Sequence, residues 1–257
     1  MLSLPSQSDL ATALHDAGET PDPAAIHDAS ENLRDALAHH LSAHLHDLYT
    51  SNQVTAPYQP NAEQSGKRML ANAMLSLITR RDGVALATKQ FRTADNMTQQ
   101  LTAVANGIRG GNGEDMLQAF ENQWKDDRLV MDKWFGLQVM EAQPADAAPI
   151  AARLTAHSDF NWKNPNRFRA VFGSLAAHHA GFHHVSGAGY TLLADWLIKL
   201  DPVNPQTTAR MCSAFQTWRR YDQHRQTLIS AELDRILATP NLSRDATEML
   251  TRIRGTA

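Results

Sequence analysis

The chain is 257 residues long with a formal net charge of −3 and a pI near 6.4, enough polypeptide for a substantial core in one elongated domain or two modest ones. An acidic balance without any Lys/Arg cluster interleaved with aromatics argues against a nucleic-acid partner, and a single cysteine, Cys212, excludes an internal disulfide framework and fits a reducing cytoplasm. Met1-Leu2-Ser3-Leu4-Pro5 lacks the basic start and apolar run of a signal peptide, and no stretch approaches the ~18 apolar residues of a membrane span, so a soluble, cytoplasmic chain without a membrane partner is expected.

Hydrophobic spacing is helical almost throughout. Leu33, Leu37, Leu41, Leu45 and Leu48 predict one long helix over about 24–50. After the turn Pro57–Pro60, Met69, Leu70, Met74, Leu77 and Ile78 form the next stripe, followed by Leu101, Val104 and Ile108. The glycine-rich run Gly107–Gly113 follows a helix rather than a strand, which predicts a helix stop and turn, not a phosphate-cradling loop. Met116, Leu117, Phe120 and Trp124 make another stripe, and Leu129, Val130, Trp134, Leu137 and Met140 one more. Further on come Val171, Phe172 and Leu175, then Leu192, Leu193, Leu197 and Leu200. Met211, Phe215 and Trp218 precede Leu228, Leu233, Ile236 and Leu237, and Met249, Leu250 and Ile253 close the series. No run alternates as a strand would. The expectation is an all-α fold: an irregular superhelical stack of antiparallel helix pairs, HEAT- or armadillo-like, in one domain 1–257 with a seam at 143–149.

Two helix starts share one pattern, Asn164-Pro165-Asn166-Arg167-Phe168-Arg169 and Asn204-Pro205-Gln206-Thr207-Thr208-Ala209-Arg210, forty residues apart. Asn is a strong N-cap and Pro suits the first helical position, whose N–H is not needed. Each start then places arginine where the helix dipole is already positive. A helix N-terminus with arginine is local chemistry for a carboxylate or phosphate. From local sequence alone, solvated arginines or arginines paired with nearby acids are the ordinary reading.

Twelve histidines are present, eight of them in two clusters, His39, His40, His44, His46 and His178, His179, His183, His184. Pairs four apart can share a metal on a helix, but the residues after His40 and His179 are Leu41 and Ala180, not the glutamate of a zincin motif. Gly181 weakens the second helix and no third ligand is near, so surface or capping histidines are expected in both clusters. Cys212 sits in a helical stripe and reads as a small core residue. There is no nucleophile elbow and no Walker loop. Met131–Phe135 and Gln216–Asp222 mix charge with aromatics, as a packed core with an ion-paired rim does.

Asp95-Asn96-Met97-Thr98, Leu129-Val130-Met131-Asp132-Lys133-Trp134-Phe135, Asn164-Pro165-Asn166-Arg167, Gly187-Ala188-Gly189-Tyr190, Asn204-Pro205-Gln206 and Arg220-Tyr221-Asp222 occur in this order. Together they resemble the C-terminal helical domain of bacterial aminopeptidase N, the zinc-dependent alanyl aminopeptidase family, over essentially the whole chain from Leu2-Ser3-Leu4-Pro5 on. The resemblance implies a cap that curls over a zinc site and encloses a substrate cavity. The zinc motif H-E-x-x-H and the substrate-amine motif G-A-M-E-N of that family belong to another domain and are absent here. Zn2+ is thus implied for a parent enzyme but not for this fragment, which on its own is expected to catalyse nothing. Implied partners are the N-terminal and zinc-catalytic domains of the same polypeptide, and peptide substrates. By the same resemblance Arg169, Gln206 and Arg210 face the cavity beyond the scissile bond. The alternative from the residues alone is a stand-alone helical-repeat module that binds a protein or peptide.

Overall fold

The computed structural model describes residues 4–255, and every regular element among them is helical. In chain order these are α1 (Gln7–Asp16), α2 (Pro23–His40), α3 (Ser42–Ser51), α4 (Ala62–Asp82), α5 (Ala85–Thr93), α6 (Met97–Arg109), α7 (Glu114–Trp124) and α8 (Arg128–Met140). There follow α9 (Ala147–Leu154), α10 (Pro165–Phe168), α11 (Ser174–Ala177), α12 (His179–Phe182), α13 (Ala188–Leu200), α14 (Pro205–Cys212), α15 (Gln223–Leu237) and α16 (Arg244–Arg254). A π-turn, Arg169–Gly173, joins α10 to α11, and 3-10 turns at Ser213–Phe215 and Trp218–Arg220 follow α14. The all-α class read from periodicity holds. Leu2 and Ser3, part of the expected resemblance, lie outside the described residues.

Short polar side chains set where these helices begin. Asn61, Asn96, Asp127, Asp222 and Ser243 each accept hydrogen bonds from backbone N–H groups two or three residues on. Each bond satisfies a donor that the helix itself leaves orphaned. Two compact units result, one containing Asp28–Glu141 and the other Pro5–His27 with the chain from Ala142 on.

Within the first unit each helix packs on the next, from α3 on α4 through to α7 on α8, and α6 also packs on α4 and α8, as successive pairs of stacked helical repeats do. Leu45, Tyr49, Ala71, Met74, Leu75 and Ile78 are its buried centre. A buried polar chain crosses the layers: Tyr49 Oη donates to Gln90 Oε1 at 3.1 Å, and Gln90 Nε2 donates to the Gln99 carbonyl at 3.0 Å. The single helix expected over 24–50 is broken at Leu41, which separates α2 from α3. Four-residue steps explain the break. Leu33 and Leu45 would lie about 120° apart on a straight helix, so one face cannot bury both. Leu45 is fully buried while Leu33 stays 47% exposed. In the glycine-rich run the helix continues through Gly107 to Arg109 instead of stopping at the first glycine. Added Cβ atoms would meet Met116 Cε at 2.2 Å from Gly107 and the Ile108 backbone nitrogen at 2.5 Å from Gly113, so these glycines let α6 and α7 meet closely.

In the second unit α13 packs on α9, α14 and α15, and α16 packs on α14 and α15. Phe168, Phe172, Leu175, Phe182, Tyr190, Leu197 and Phe215 are buried among them. Met211, Phe215 and Trp218 do not continue one α-helix as their spacing implied, because α14 ends at Cys212 and the chain tightens into the 3-10 turns. Asp201, almost fully buried, accepts hydrogen bonds from both the N–H and the hydroxyl of Ser243 at 2.6 Å, tying the end of α13 to the start of α16. Phe172→Ala should cost about 3–5 kcal/mol of stability. Leu33→Ala should stay within about 0.5 kcal/mol. Urea denaturation of the two variants checks both.

Candidate functional site

At the first Asn-Pro start, Asn164 is extended and its side-chain oxygen accepts from the Asn166 N–H at 3.0 Å, with Pro165 in the first helical position. The second start repeats this, Asn204 accepting from the Thr207 N–H at 3.0 Å ahead of Pro205. Both caps form as the residue types dictate. Their helices differ from the expectation, however. The first runs only four residues before the chain widens into the π-turn Arg169–Gly173. The backbone stays right-handed helical through that turn to Ala177, and in each start one N–H that an anion would use is taken by the cap itself.

The arginines of the two starts divide by role. Arg167 is buried and its Nη1 donates to the Asp159 carbonyl at 2.9 Å, holding the preceding loop. Arg169 is exposed, and its guanidinium folds back to the Pro165 carbonyl at 3.2 Å and Asn166 Oδ1 at 2.7 Å. Gln206 and Arg210 are exposed one turn apart on α14, a spacing that shares a face. Among the described residues neither side chain has a hydrogen-bond or ion-pair partner, so this face is open to solvent. The structure brings Gln206 and Arg210 together. No hydrogen bond or ion pair joins Arg169 to either of them.

The π-turn is the feature that sequence reasoning missed. π-turns are rare and are kept mostly where function holds them in place. Within it Arg169 is exposed, while Phe172 packs on Phe168 with ring centroids 4.7 Å apart and on Trp196 at 5.3 Å.

The histidine clusters part company. His39, His40, His44 and His46 are exposed, as expected. His178, His179 and His183 are buried, which corrects the surface reading of the second cluster, although His178 also caps α12 by accepting from the Gly181 N–H at 3.0 Å. Its other nitrogen, Nε2, therefore carries the proton and donates to the Ala142 carbonyl at 2.9 Å. His179 Nε2 lies 3.0 Å from Tyr221 Oη, and His183 Nδ1 lies 2.9 Å from Tyr190 Oη. Burial, reinforced by His178 and Arg225, pushes the His179 imidazole down to about 4 from an ordinary 6.5. Burial, with His179 and Arg225 alongside, also holds His183 well below the ordinary range. Burial pushes the Tyr190 hydroxyl far up, and the Cys212 thiol up to about 12, so Cys212 is an inert core residue. Gly181 was the available signal: a Cβ there would meet the Ala147 Cβ at 2.5 Å and His178 Nδ1 at 2.8 Å. A glycine inside a histidine run marks close packing, not a weak surface helix. Among the described residues no three His, Cys, Asp or Glu side chains are grouped so as to hold a metal ion.

The family described as "Domain of unknown function (DUF3458_C) ARM repeats" matches residues 1–255. Aminopeptidase N of Caulobacter vibrioides is 37% identical over 261 aligned positions, covering 99% of this chain and 30% of that protein. The chain belongs to this family. Aminopeptidase N of Haemophilus influenzae is 37% identical over 198 positions (75% of this chain, 23% of that protein), and that of Escherichia coli 32% over 211 (80% and 24%). A solved structure of Legionella pneumophila aminopeptidase A in complex with aspartic acid superposes over the whole chain with a TM-score of 0.87 at 26% identity, covering 31% of that protein. The chain thus spans less than a third of the relatives' length and corresponds to the C-terminal domain of aminopeptidase N.

Several motifs that carry the resemblance have structural jobs in this aminopeptidase N domain. Asn96 and Asp222 are helix caps, Trp134 Nε1 donates to the Leu117 carbonyl at 3.0 Å, and Gly187 takes a left-handed φ of 71°. A Cβ on Gly189 would meet the Phe182 carbonyl oxygen at 2.9 Å. Arg167→Ala is expected to cost about 1.5–3 kcal/mol through its lost charge-assisted bond, and Arg169→Ala less than about 0.5 kcal/mol. Chemical denaturation of the two variants separates the structural arginine from the solvent-facing one.

Proposed function

We propose that this domain caps a zinc aminopeptidase, closing the active-site cavity over the catalytic part of the same polypeptide and helping to position peptides whose N-terminal residue is removed there. The observation that carries the reading is coverage: relatives named aminopeptidase N match 75–99% of this chain with less than a third of their own length. The chemistry of bond cleavage, including the Zn2+, then belongs to the remainder of the enzyme. This chain supplies walls and contacts.

Gln206 and Arg210 on α14 are the side chains offered to substrate, with Arg169 contributing from the other Asn-Pro start. An unpaired guanidinium can take a carboxylate in a bidentate pair, and Gln206 can donate its amide beside it. The far end of a short peptide carries such a carboxylate. An interaction made equally in the bound state and the transition state alters KM and leaves kcat unchanged. In the full-length enzyme Arg210→Ala should therefore raise KM for di- and tripeptides about tenfold, the loss of one charge-assisted bond. A chromogenic alanyl anilide, which lacks a free carboxylate, should be little affected. Equal effects on both substrates would remove the carboxylate role. The isolated chain should hydrolyse neither substrate, and turnover above a metal-free control would contradict the assignment of catalysis to the rest of the polypeptide.

A further inference from the structure

The buried imidazoles of the second unit are not used by the function proposed above. His179 and His183 lie with ring centroids 5.1 Å apart, and His183 stacks on the Tyr221 ring at 4.1 Å. Each has one tyrosine hydroxyl as partner. His179 is only 7% exposed, and its Nδ1 has no hydrogen-bond partner. A buried polar atom without a partner is rare and costly. Here it is tolerable because a neutral imidazole can leave a lone pair unused, whereas an imidazolium must place an N–H at both nitrogens. One of them would then point into dry protein.

The surroundings offer a cation nothing. Helix α12 packs on α1, α9, α11 and α13. Their charged or titratable residues, with those at the helix caps, are Asp9, His15 and Asp16 on α1, Asp146 and Arg153 at α9, Tyr190, Asp195, Lys199 and the Ser243-bound Asp201 at α13, and His178 between α11 and α12. From the Tyr221 side come Arg219, Arg220, Asp222, His224 and Arg225. No hydrogen bond or ion pair joins a carboxylate to either imidazole among the described residues. The near charge is instead positive: Arg225 Nε donates to the His183 carbonyl at 2.7 Å. The acids by that guanidinium are already committed to it, Asp222 at 2.5 Å and Asp22 at 3.8 Å.

We infer that the His179–His183–Tyr221 cluster is an acid-operated latch, which holds the single turn α12 closed while both imidazoles are neutral and releases it, with its contact to α1, when one takes up a proton. The weak point is α12 itself. It is four residues long, capped by His178 and packed through Gly181 onto Ala147, so it can lift without unravelling a long helix. The sign follows from linkage. Both imidazoles take up a proton less readily in the folded state than in the open one, whose ordinary value is 6.5. The closed state is therefore fully favoured above that pH and loses ground as pH falls toward about 4.

The test uses the full chain, by histidine Cε1–H titration in NMR and by hydrogen exchange corrected for the intrinsic rate at each pH. Two imidazoles should stay neutral below pH 6. Protection across residues 178–190 and 7–16 should fall at least tenfold between pH 6 and 4 while α4 remains protected. His179→Phe keeps a ring in the same space without a protonation site, and His179→Gln keeps a hydrogen bond to Tyr221. Either should move the opening about one pH unit lower. The latch is overturned if every imidazole titrates near 6.5 with α12 still protected, if both variants open at the wild-type pH, or if α4 is lost together with α12. Should neither variant fold, the wild-type titration and exchange profile decide by the same criteria.

Discussion

Every helix leaves N–H groups at its start and carbonyls at its end without partners, and a chain cut into many short helices meets that cost again and again. Satisfying helix ends is the constraint on which the rest of this structure depends. Asn61, Asn96, Asp127, Asn164, Asn204, Asp222 and Ser243 each answer it with one side-chain oxygen. His178 does so with an imidazole nitrogen. Ser243 is itself held by the buried Asp201, so one cap anchors two helices. Because each cap fixes where a helix begins, it also fixes which side chains that helix presents. Gln206 and Arg210 face solvent because Asn204 and Pro205 start α14 where they do, with Thr208 and Met211 turned inward.

The Asn-Pro starts have a structural duty, since cap and proline terminate one segment and launch the next. Arg167 shares that duty from a buried position. The outward set, Arg169, Gln206 and Arg210, stabilises no core and has no acidic partner. Of the two exposed arginines only Arg210 is uncommitted, since the Arg169 guanidinium donates to the Pro165 carbonyl and Asn166 Oδ1. The π-turn after Phe168 carries the chain from a solvent-facing arginine into a ring cluster within five residues.

Much of this organisation was legible in particular residues. Asn164 and Asn204 predicted both caps, the period of Leu193, Leu197 and Leu200 predicted α13, and the aromatic stretches predicted a packed interior. Other readings failed for identifiable reasons. The leucine series at 33–48 looked like one stripe because four-residue steps are locally helical, yet their drift around the helix adds up and the chain breaks at Leu41. The stop and turn read in the glycines at 107–113 does form, between Arg109 and Glu114, and two of those glycines also serve a close approach between helices. The histidines at 178–183 looked solvated because histidine is polar, while the partners of His178 and His179, Ala142 and Tyr221, are supplied by distant parts of the chain.

By itself, the sequence determined the all-α class, the helix starts and the family, because propensity, capping and hydrophobic period act over a few residues and repeat along the chain. Only the tertiary structure decided which polar residues are buried and which are free. Burial and charge pairing depend on residues tens of positions apart, such as Tyr221 against His179 and Ser243 against Asp201. No local pattern encodes those meetings. They follow from how the helices pack, which is where an ordinary imidazole loses its proton affinity and a surface arginine keeps its charge for something else.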